Sequence, residues 1–247
     1  MSLALTSRLE ILQDRAVMLA EARAFFAKRA VMEVDVPALS LLASVDTYID
    51  LVTAECGGEP CFLHSSPEYG MKRLLAEGIG DIFQLSHVFR EGEVGSRHNP
   101  EFTMVEWYRF GFTLEDLIEE TVAFLQLFLP VERVERMTYR ETFARYVGRM
   151  PETEAEEDEL LAFSIEPHLG EKGFTIITDF PLSRAALAQV TLKNGEKVAE
   201  RFEIFYRGME LANGYHELLD AGEQTRRQRR ANEERGASGQ KNLSYRH

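Results

Sequence analysis

The sequence is short of cysteine and of positive charge. Its 247 residues include two cysteines, Cys56 and Cys61, which are too few for a four-ligand zinc site. The two could pair, although two thiols in a chain of this length are typical of an intracellular protein. Lysine and arginine number 28 against 41 acidic residues, which gives a formal net charge of −13. This balance argues against binding nucleic acid through bulk charge but leaves room for a small basic nucleotide pocket.

Long apolar runs are missing as well. No stretch reaches the roughly 18 apolar residues that a membrane-spanning helix needs. The first 15 residues contain Glu10 and lack the apolar core of a signal peptide. We therefore expect a cytoplasmic protein that does not act on a membrane. At 45% hydrophobic residues, the chain can build a core without disulfides or metals.

Helical and strand periodicities follow one another along the chain. Ser7 and Glu10 have the spacing of a capping box and predict a first helix. Its predicted apolar stripe is Leu9, Leu12, Ala16, Leu19 and Phe26. Residues 31–36 alternate between apolar and acidic side chains, which predicts a strand that Pro37 ends. The clearest helix pattern covers residues 113–129, where Thr113 is predicted to cap the N-terminus. Further strands are predicted at residues 82–90, 101–109, 174–181, 201–206 and 209–214. Consecutive strands flanked by helices predict an α+β fold with an antiparallel sheet.

The segment after Asp220 is rich in arginine, with Arg226, Arg227, Arg229 and Arg230 close together. A solvated helix and a contact with RNA are the two interpretations of such a cluster. The negative net charge favours the solvated helix.

The strands at 82–90 and 101–109 carry the side chains best suited to chemistry. The polar segment between them predicts an antiparallel hairpin with a long tip. Alternation places Phe102, Met104, Glu106 and Tyr108 on one face of the second strand, and Arg90 ends the first. Such a row can stack a flat base and hold an ammonium group, while an arginine can bind phosphate through two hydrogen bonds. An amphipathic strand with one stray glutamate is the alternative, and it does not account for the whole set.

The literal sequence of this hairpin, FREGEVGSRHNPEFTMVEWYR at residues 89–109, resembles motif 2 of class II aminoacyl-tRNA synthetases in its lysine-type form. Three other segments resemble the same family. They are VMEVDVPALS (31–40) for motif 1, SSPEYGMKRLL (65–75) for the stretch before motif 2, and ERFEIFYRGMELANGYHEL (200–218) for the stretch before motif 3. The resemblance spans most of residues 7–235. It implies a class II catalytic domain, with an antiparallel sheet flanked by helices, and a homodimer formed through motif 1.

Within this class the chain looks most like the short paralogues of lysyl-tRNA synthetase that modify elongation factor P. It begins directly on motif 1 without an N-terminal OB anticodon-binding domain, its motif 2 ends in EWYR, and its charge is acidic. The resemblance implies a single catalytic domain over residues 1–247. It also implies a reaction in which β-lysine and ATP, with Mg²⁺, give an aminoacyl adenylate. The β-lysyl group then passes to a lysine of elongation factor P, and no tRNA takes part.

The resemblance also implies roles for individual residues. Arg90 matches the catalytic arginine on the α-phosphate of ATP. The residues matching the ATP site are Arg90, Glu91, Gly92, Asn99, Phe102, Glu210 and Leu211. The residues matching the lysine site are Ser66, Pro67, Glu68, Glu106, Tyr108 and Glu217. Glu210 and Glu217 are also the implied metal ligands.

The chain departs from the family pattern in motif 2, in its short length around residues 54–62 and 148–160, and in the segment expected to carry motif 3. The family has a glutamate two residues after the arginine, where this chain has Gly92 followed by Glu93. Motif 3, a glycine-rich strand leading to an arginine that clamps ATP, is expected beyond His247. Truncation, omitted segments and a degenerate paralogue therefore stay open. Two other functions stay open too, namely a lysyl-tRNA synthetase fragment that charges tRNA and a catalytically impaired paralogue that binds an amino acid.

Overall fold

A computed structural model describes residues 7–44, 46–95 and 97–237. The chain forms two compact units. The first contains the described residues up to Gly111 and those from Thr225 onward, and the second contains Phe112–Gln224. Whether residues 1–247 act as one catalytic domain stays a prediction. None of the helices in the described part of the chain combines the length and the apolar character needed to cross a membrane.

The described part of the first unit contains two three-stranded sheets together with helices. Its elements are α1 (Arg8–Ala27), β1 (Met32–Glu33), β2 (Leu39–Ser40), β3 (Thr53–Cys56), β4 (Glu59–Leu63), α2 (Glu68–Ala76), β5 (Ile82–Phe89) and β6 (Glu101–Tyr108). Strands β1, β5 and β6 form one sheet in that order, and β2, β4 and β3 form another. The last helix of the chain, α6 (Ala221–Ala237), belongs to this unit from Thr225 onward.

The second unit is built on a five-stranded sheet. Its elements are α3 (Leu114–Leu125), β7 (Val134–Thr138), α4 (Tyr139–Tyr146), α5 (Glu154–Leu160), β8 (Phe174–Phe180), β9 (Val190–Lys193), β10 (Glu196–Tyr206) and β11 (Met209–Tyr215), with short helical turns at Leu161–Ile165, Glu166–His168 and Leu182–Arg184. The strand order is β11-β10-β8-β7, and β9 also pairs with β10. All pairs in this sheet are antiparallel except β7 with β8. The predicted α+β fold with largely antiparallel sheets is confirmed.

Helix α1 begins as the sequence predicts but buries only its C-terminal half. Glu10 donates its N–H to the Ser7 hydroxyl (3.2 Å), and Ser7 donates its N–H to the Glu10 carboxylate (2.6 Å), so the capping box is confirmed. Phe26 is fully buried and stacks on Phe83 at a centroid distance of 4.4 Å. Near the N-terminus, by contrast, Leu9 and Leu12 are exposed. The predicted apolar stripe is therefore covered at one end only.

The strand predicted at residues 31–36 is shorter than expected. Only Met32 and Glu33 form a strand, and they pair in parallel with the start of β5. The ladder ends before Pro37 because the Val36 N–H donates to the side-chain oxygen of Gln84 (2.8 Å) instead of a main-chain carbonyl.

Helix α3 is capped as predicted, since the Thr113 hydroxyl accepts the Asp116 N–H at 3.2 Å. It ends at Leu125 and not at residue 129. Beyond that point the N–H groups of Leu127 and Phe128 donate to the third preceding carbonyl, which makes a tight turn ahead of Pro130 instead of another α-helical turn.

Alternating side chains of β10 pack on the two faces of the second sheet. Phe205 lies in a cluster with Phe143 and Phe180 beside α4, while Phe202 and Ile204 lie in a cluster with α3. This alternation leaves the even and odd positions of β10 in different environments, and it places Arg201 and Glu203 on the same face as Phe205.

Candidate active site

The hairpin of β5 and β6 carries most of the predicted site residues of the first unit. Its antiparallel register pairs Val88 with Phe102 and Gln84 with Glu106. Residues directly opposite each other point to the same face of a sheet. The face that carries Phe102 and Glu106 therefore continues toward Arg90 at the end of β5. The predicted hairpin is confirmed, and its register gives these side chains a common face.

Arg90 is held next to an aromatic ring and an acid. Its guanidinium carbon lies 5.1 Å from the centre of the Phe102 ring, and Nη1 lies 3.7 Å from the Glu93 carboxylate. Its Nε is buried and has no hydrogen-bond partner among the described residues. A buried donor without a partner is unfavourable, so a bound anion would satisfy it.

Glu106 and Tyr108 form a pair further along the same face. The Tyr108 hydroxyl donates to a Glu106 carboxylate oxygen at 2.7 Å, and both side chains are half-buried. Gln84, directly opposite Glu106 on β5, is fixed by two contacts, since it accepts the Val36 N–H (2.8 Å) and donates to the Ser86 hydroxyl (2.9 Å). A carboxylate oriented by a phenol on a rigid strand is suited to bind an ammonium group.

The tip of the hairpin explains one departure from the family pattern. Gly92 has a φ of 77°, in the left-handed region that disfavours side chains. A glutamate at this position would be strained, and the acid that approaches Arg90 is Glu93 instead. Glu91 and Asn99 are exposed, and Asn99 lies in the loop before β6.

Ser66, Pro67 and Glu68 lie at the start of α2. The Glu68 N–H donates to the Ser66 hydroxyl at 3.4 Å, and the Glu68 carboxylate accepts from the Lys72 ammonium at 2.5 Å. The chain just before them is attached to β5, because the His64 carbonyl accepts the Phe89 N–H at 3.0 Å. The segment predicted to line the lysine pocket is therefore hydrogen-bonded to the hairpin at its start. The carboxylate of Glu68 is paired with the ammonium group of Lys72.

The remaining predicted residues belong to the second unit. Glu210 on β11 is exposed, and its carboxylate accepts from the Asn213 amide at 3.2 Å. Leu211 packs against the buried cluster of Phe202 and Ile204. Glu217 is half-buried, and its main chain forms a β-bridge with Ala188.

The second unit also contains an ionisable residue that the sequence reasoning missed. A cavity of about 190 Å³ is lined by Tyr139, Glu166, Arg184, Arg201, Glu203 and Glu210, among others. Burial raises the pKa of Glu203 to about 7, and the Glu210 and Glu166 carboxylates act in the same direction, whereas Arg201 opposes them. Burial also raises the pKa of Glu166. Charges at alternate positions of the apolar segment RFEIFY were the available signal.

No group of three or more histidine, cysteine, aspartate or glutamate side chains is arranged as a metal site within residues 7–44, 46–95 and 97–237. Magnesium needs fewer protein ligands, because it typically binds one or two carboxylates together with substrate phosphates. The exposed carboxylate of Glu210 has the oxygen chemistry that such an ion prefers.

The whole chain resembles known proteins of one family. Residues 1–244 match a sequence model of the class II tRNA synthetases (D, K and N). The chain therefore belongs to this family, as predicted, and membership implies the use of ATP.

Curated relatives narrow this class. A protein of Haemophilus ducreyi named "Elongation factor P--(R)-beta-lysine ligase" is 42% identical over 92% of this chain and 78% of its own length. A protein of the same name from Pasteurella multocida is 41% identical over 95% of this chain and 81% of its own length. Another from Salmonella paratyphi B is 39% identical over 92% of this chain and 79% of its own length. The predicted resemblance to this group, and with it the prediction of a ligase, is confirmed.

Proposed function

We propose that this protein is an ATP-dependent ligase that activates (R)-β-lysine as an aminoacyl adenylate and transfers it to a lysine side chain of elongation factor P. The observation that carries the proposal is the hairpin face, where an arginine with an unused buried donor lies against an aromatic ring and a glutamate–tyrosine pair follows. The shared name of the curated relatives supports the choice of substrates.

The chemistry requires no nucleophile from the protein. The substrate carboxylate attacks the α-phosphorus of ATP, the bond to the β-phosphate oxygen breaks, and pyrophosphate leaves. Arg90 neutralises the charge that develops on the α-phosphate, and Phe102 stacks on adenine. Glu91, Gly92, Asn99 and Leu211 complete the proposed ATP contacts. In the second step an ε-amine attacks the activated carbonyl, loses a proton to solvent and displaces AMP.

The amino groups of the substrate are assigned to the other end of the hairpin face. Glu106, oriented by Tyr108, supplies a negative charge for an ammonium group. Ser66 and Pro67 line the same proposed pocket. Glu68 binds Lys72 in the free protein, so a substrate amine at this position replaces one ammonium group by another.

Magnesium is assigned to Glu210 and Glu217 as carboxylate ligands. When bound, the ion would neutralise negative charge on the phosphates of ATP. The exposure of Glu210 supports this assignment, because its carboxylate can exchange water for an ion without loss of packing.

A homodimer and a protein substrate complete the proposal. Leu9, Ile11, Leu12 and Val17 expose apolar surface on α1, next to the motif 1 segment, and a second copy of the chain would cover it. The net charge of −13 supports a protein substrate over tRNA, since binding tRNA requires positive charge.

Pyrophosphate exchange tests the proposed activity. The full-length protein should exchange labelled pyrophosphate into ATP in a lysine-dependent manner, with (R)-β-lysine preferred over α-lysine, and the mass of elongation factor P should then increase by one β-lysyl group. Glu106→Gln should raise the KM for the amino acid about tenfold to 100-fold and leave the KM for ATP unchanged, because it removes one charge-assisted contact. Glu101→Gln is the control, since Glu101 is exposed on the same strand and pairs with His87.

Each other outcome has a defined meaning. No exchange with any lysine isomer rules out the ligase. Charging of tRNA with lysine would identify a tRNA synthetase, and calorimetry that detects lysine binding without ATP binding would identify an impaired paralogue.

A further inference from the structure

Arg235 on α6 is the largest fully buried side chain among the described residues, with 1% of its surface exposed. The arginine-rich part of this helix was expected to be solvated, and Arg226, Arg229 and Arg230 are indeed exposed. A buried guanidinium is unfavourable unless hydrogen bonds replace its water shell. The hydrogen-bond partners of the Arg235 guanidinium therefore compensate for the loss of its water shell.

The Arg235 guanidinium binds one short segment of the first unit. Nη1 donates to the carbonyls of Asp46 (2.9 Å) and Ile49 (2.8 Å), and Nη2 donates to the Asp50 carboxylate (2.6 Å). Two main-chain acceptors and one charged acceptor fix both ends of residues 46–50. The planar fork of arginine presents two separate nitrogens to these three acceptors, whereas lysine has a single donor nitrogen.

This segment is attached to the motif 2 hairpin. The Asp50 carbonyl accepts the Glu91 N–H at 2.8 Å, and the two residues form an antiparallel β-bridge. Glu91 directly follows Arg90, whose own N–H donates to the Pro100 carbonyl at 2.9 Å. The main chain at Arg90 is thus held by the returning strand on one side and by residues 46–50 on the other.

The same helix holds the segment of the predicted lysine pocket. Gln228, also buried, donates its side-chain amide to the Tyr69 hydroxyl at 2.9 Å, and Tyr69 follows Glu68. Gln228 and Arg235 are seven residues apart and share a helix face. Helix α6 therefore contacts the segment of the predicted lysine pocket directly and is connected to the hairpin only through residues 46–50.

We infer that Arg235 is a positioning residue for phosphate binding, because it fixes residues 46–50 against the main chain at Glu91 and thereby sets the position of Arg90. This inference rests on the proposed function, in which Arg90 contacts the α-phosphate. Arg235 itself touches neither substrate.

The test compares Arg235→Lys and Arg235→Met with Arg229→Met, an exposed position of the same helix, in the full-length protein. Both Arg235 variants should lose about tenfold to 100-fold in the kcat for pyrophosphate exchange per active site, because a small displacement of a binding group has an effect of this size. Their KM for β-lysine should stay unchanged. Hydrogen exchange of the Glu91 amide should become faster in these variants and stay as in the wild type in Arg229→Met.

The outcomes separate this inference from a general loss of stability. Unchanged kcat per titrated active site in a variant with a fast-exchanging Glu91 amide would overturn the positioning role, and so would an unchanged Glu91 amide. If Arg235→Met does not fold, Asp50→Ala removes the charged acceptor of the same contact, and unchanged kcat in that variant overturns the inference as well.

A wild-type protein without exchange activity contradicts the proposed function and not the positioning role. In that case the affinity of each variant for ATP tests the positioning role of Arg235. Weaker ATP binding by the Arg235 variants than by Arg229→Met supports the inference, and equal binding overturns it.

Discussion

Glu203 gives the sharpest test of the electrostatics of the second unit. Burial is the main reason that its pKa is raised from 4.5 to about 7, and it lies in the cavity with Glu166 and Glu210, which raise it further, and with Arg201 and Arg184, which lower it. The difference between the two pKa values corresponds to about 3 kcal/mol of stability. A neutral side chain of the same shape at this position should therefore change how stability depends on pH.

The sign follows from which state loses the proton first. The pKa of Glu203 is higher in the folded protein, so on raising the pH the unfolded chain ionises first, near its ordinary pKa. The free energy of unfolding therefore falls as the pH rises from about 4.5 to about 7. Above pH 7 the ionisation of Glu203 does not lower it further. Glu203→Gln removes this fall, because glutamine does not ionise. The raised pKa of Glu166 leaves a smaller fall of the same sign in the variant.

Urea unfolding at several pH values between 4.5 and 8 measures the effect. The variant should gain stability relative to the wild type as the pH rises through this range, by up to about 3 kcal/mol. Glu196→Gln, on an exposed part of the same strand, should follow the wild type. A Glu203→Gln variant with the wild-type pH dependence would refute the reasoning. It would mean that the ion pair with Arg201 at 2.6 Å keeps Glu203 charged throughout.

Two further predictions concern packing and capping. Gly70→Ala would place a methyl group 2.7 Å from the Val36 side chain and should destabilise the first unit by about 1–3 kcal/mol in urea unfolding, whereas Gly95→Ala, with open space around it, should not. Thr113→Ala removes the hydroxyl that accepts the Asp116 N–H and should cost about 1 kcal/mol by the same measurement, while Thr113→Ser should retain most of the stability. Equal stability of the paired variants would contradict each argument.

The parts of the fold that depend on local patterns were predictable. The alternation in residues 82–90 and 101–109 and the turn formers between them predicted the β5–β6 hairpin, and the parity of the positions predicted the common face of Phe102 and Glu106. Ser7 and Thr113 identified two helix starts, because capping depends on residues three positions apart.

The parts that depend on distant residues were not predictable. The strands β2, β3 and β4 have two to five residues each and little apolar alternation, so their pairing gave no sequence signal. The burial of Arg235 depends on an acceptor 189 residues earlier in the chain. The environment of Glu203 depends on Glu166 and Arg184, which approach it only once the second unit has folded. The roles assigned to the individual site residues stay predictions.

The left-handed backbone at Gly92 limits how this protein can be redesigned. Restoring the glutamate of the family pattern at this position would force a side chain into a conformation that is unfavourable by about 1–2 kcal/mol. The substitution would also leave Glu93 beside Arg90, so three acidic residues would follow one another at positions 91–93 and repel each other. A designer who wants the family arrangement would have to exchange the whole tip of the hairpin, because the left-handed turn at Gly92 and the position of Glu93 depend on each other.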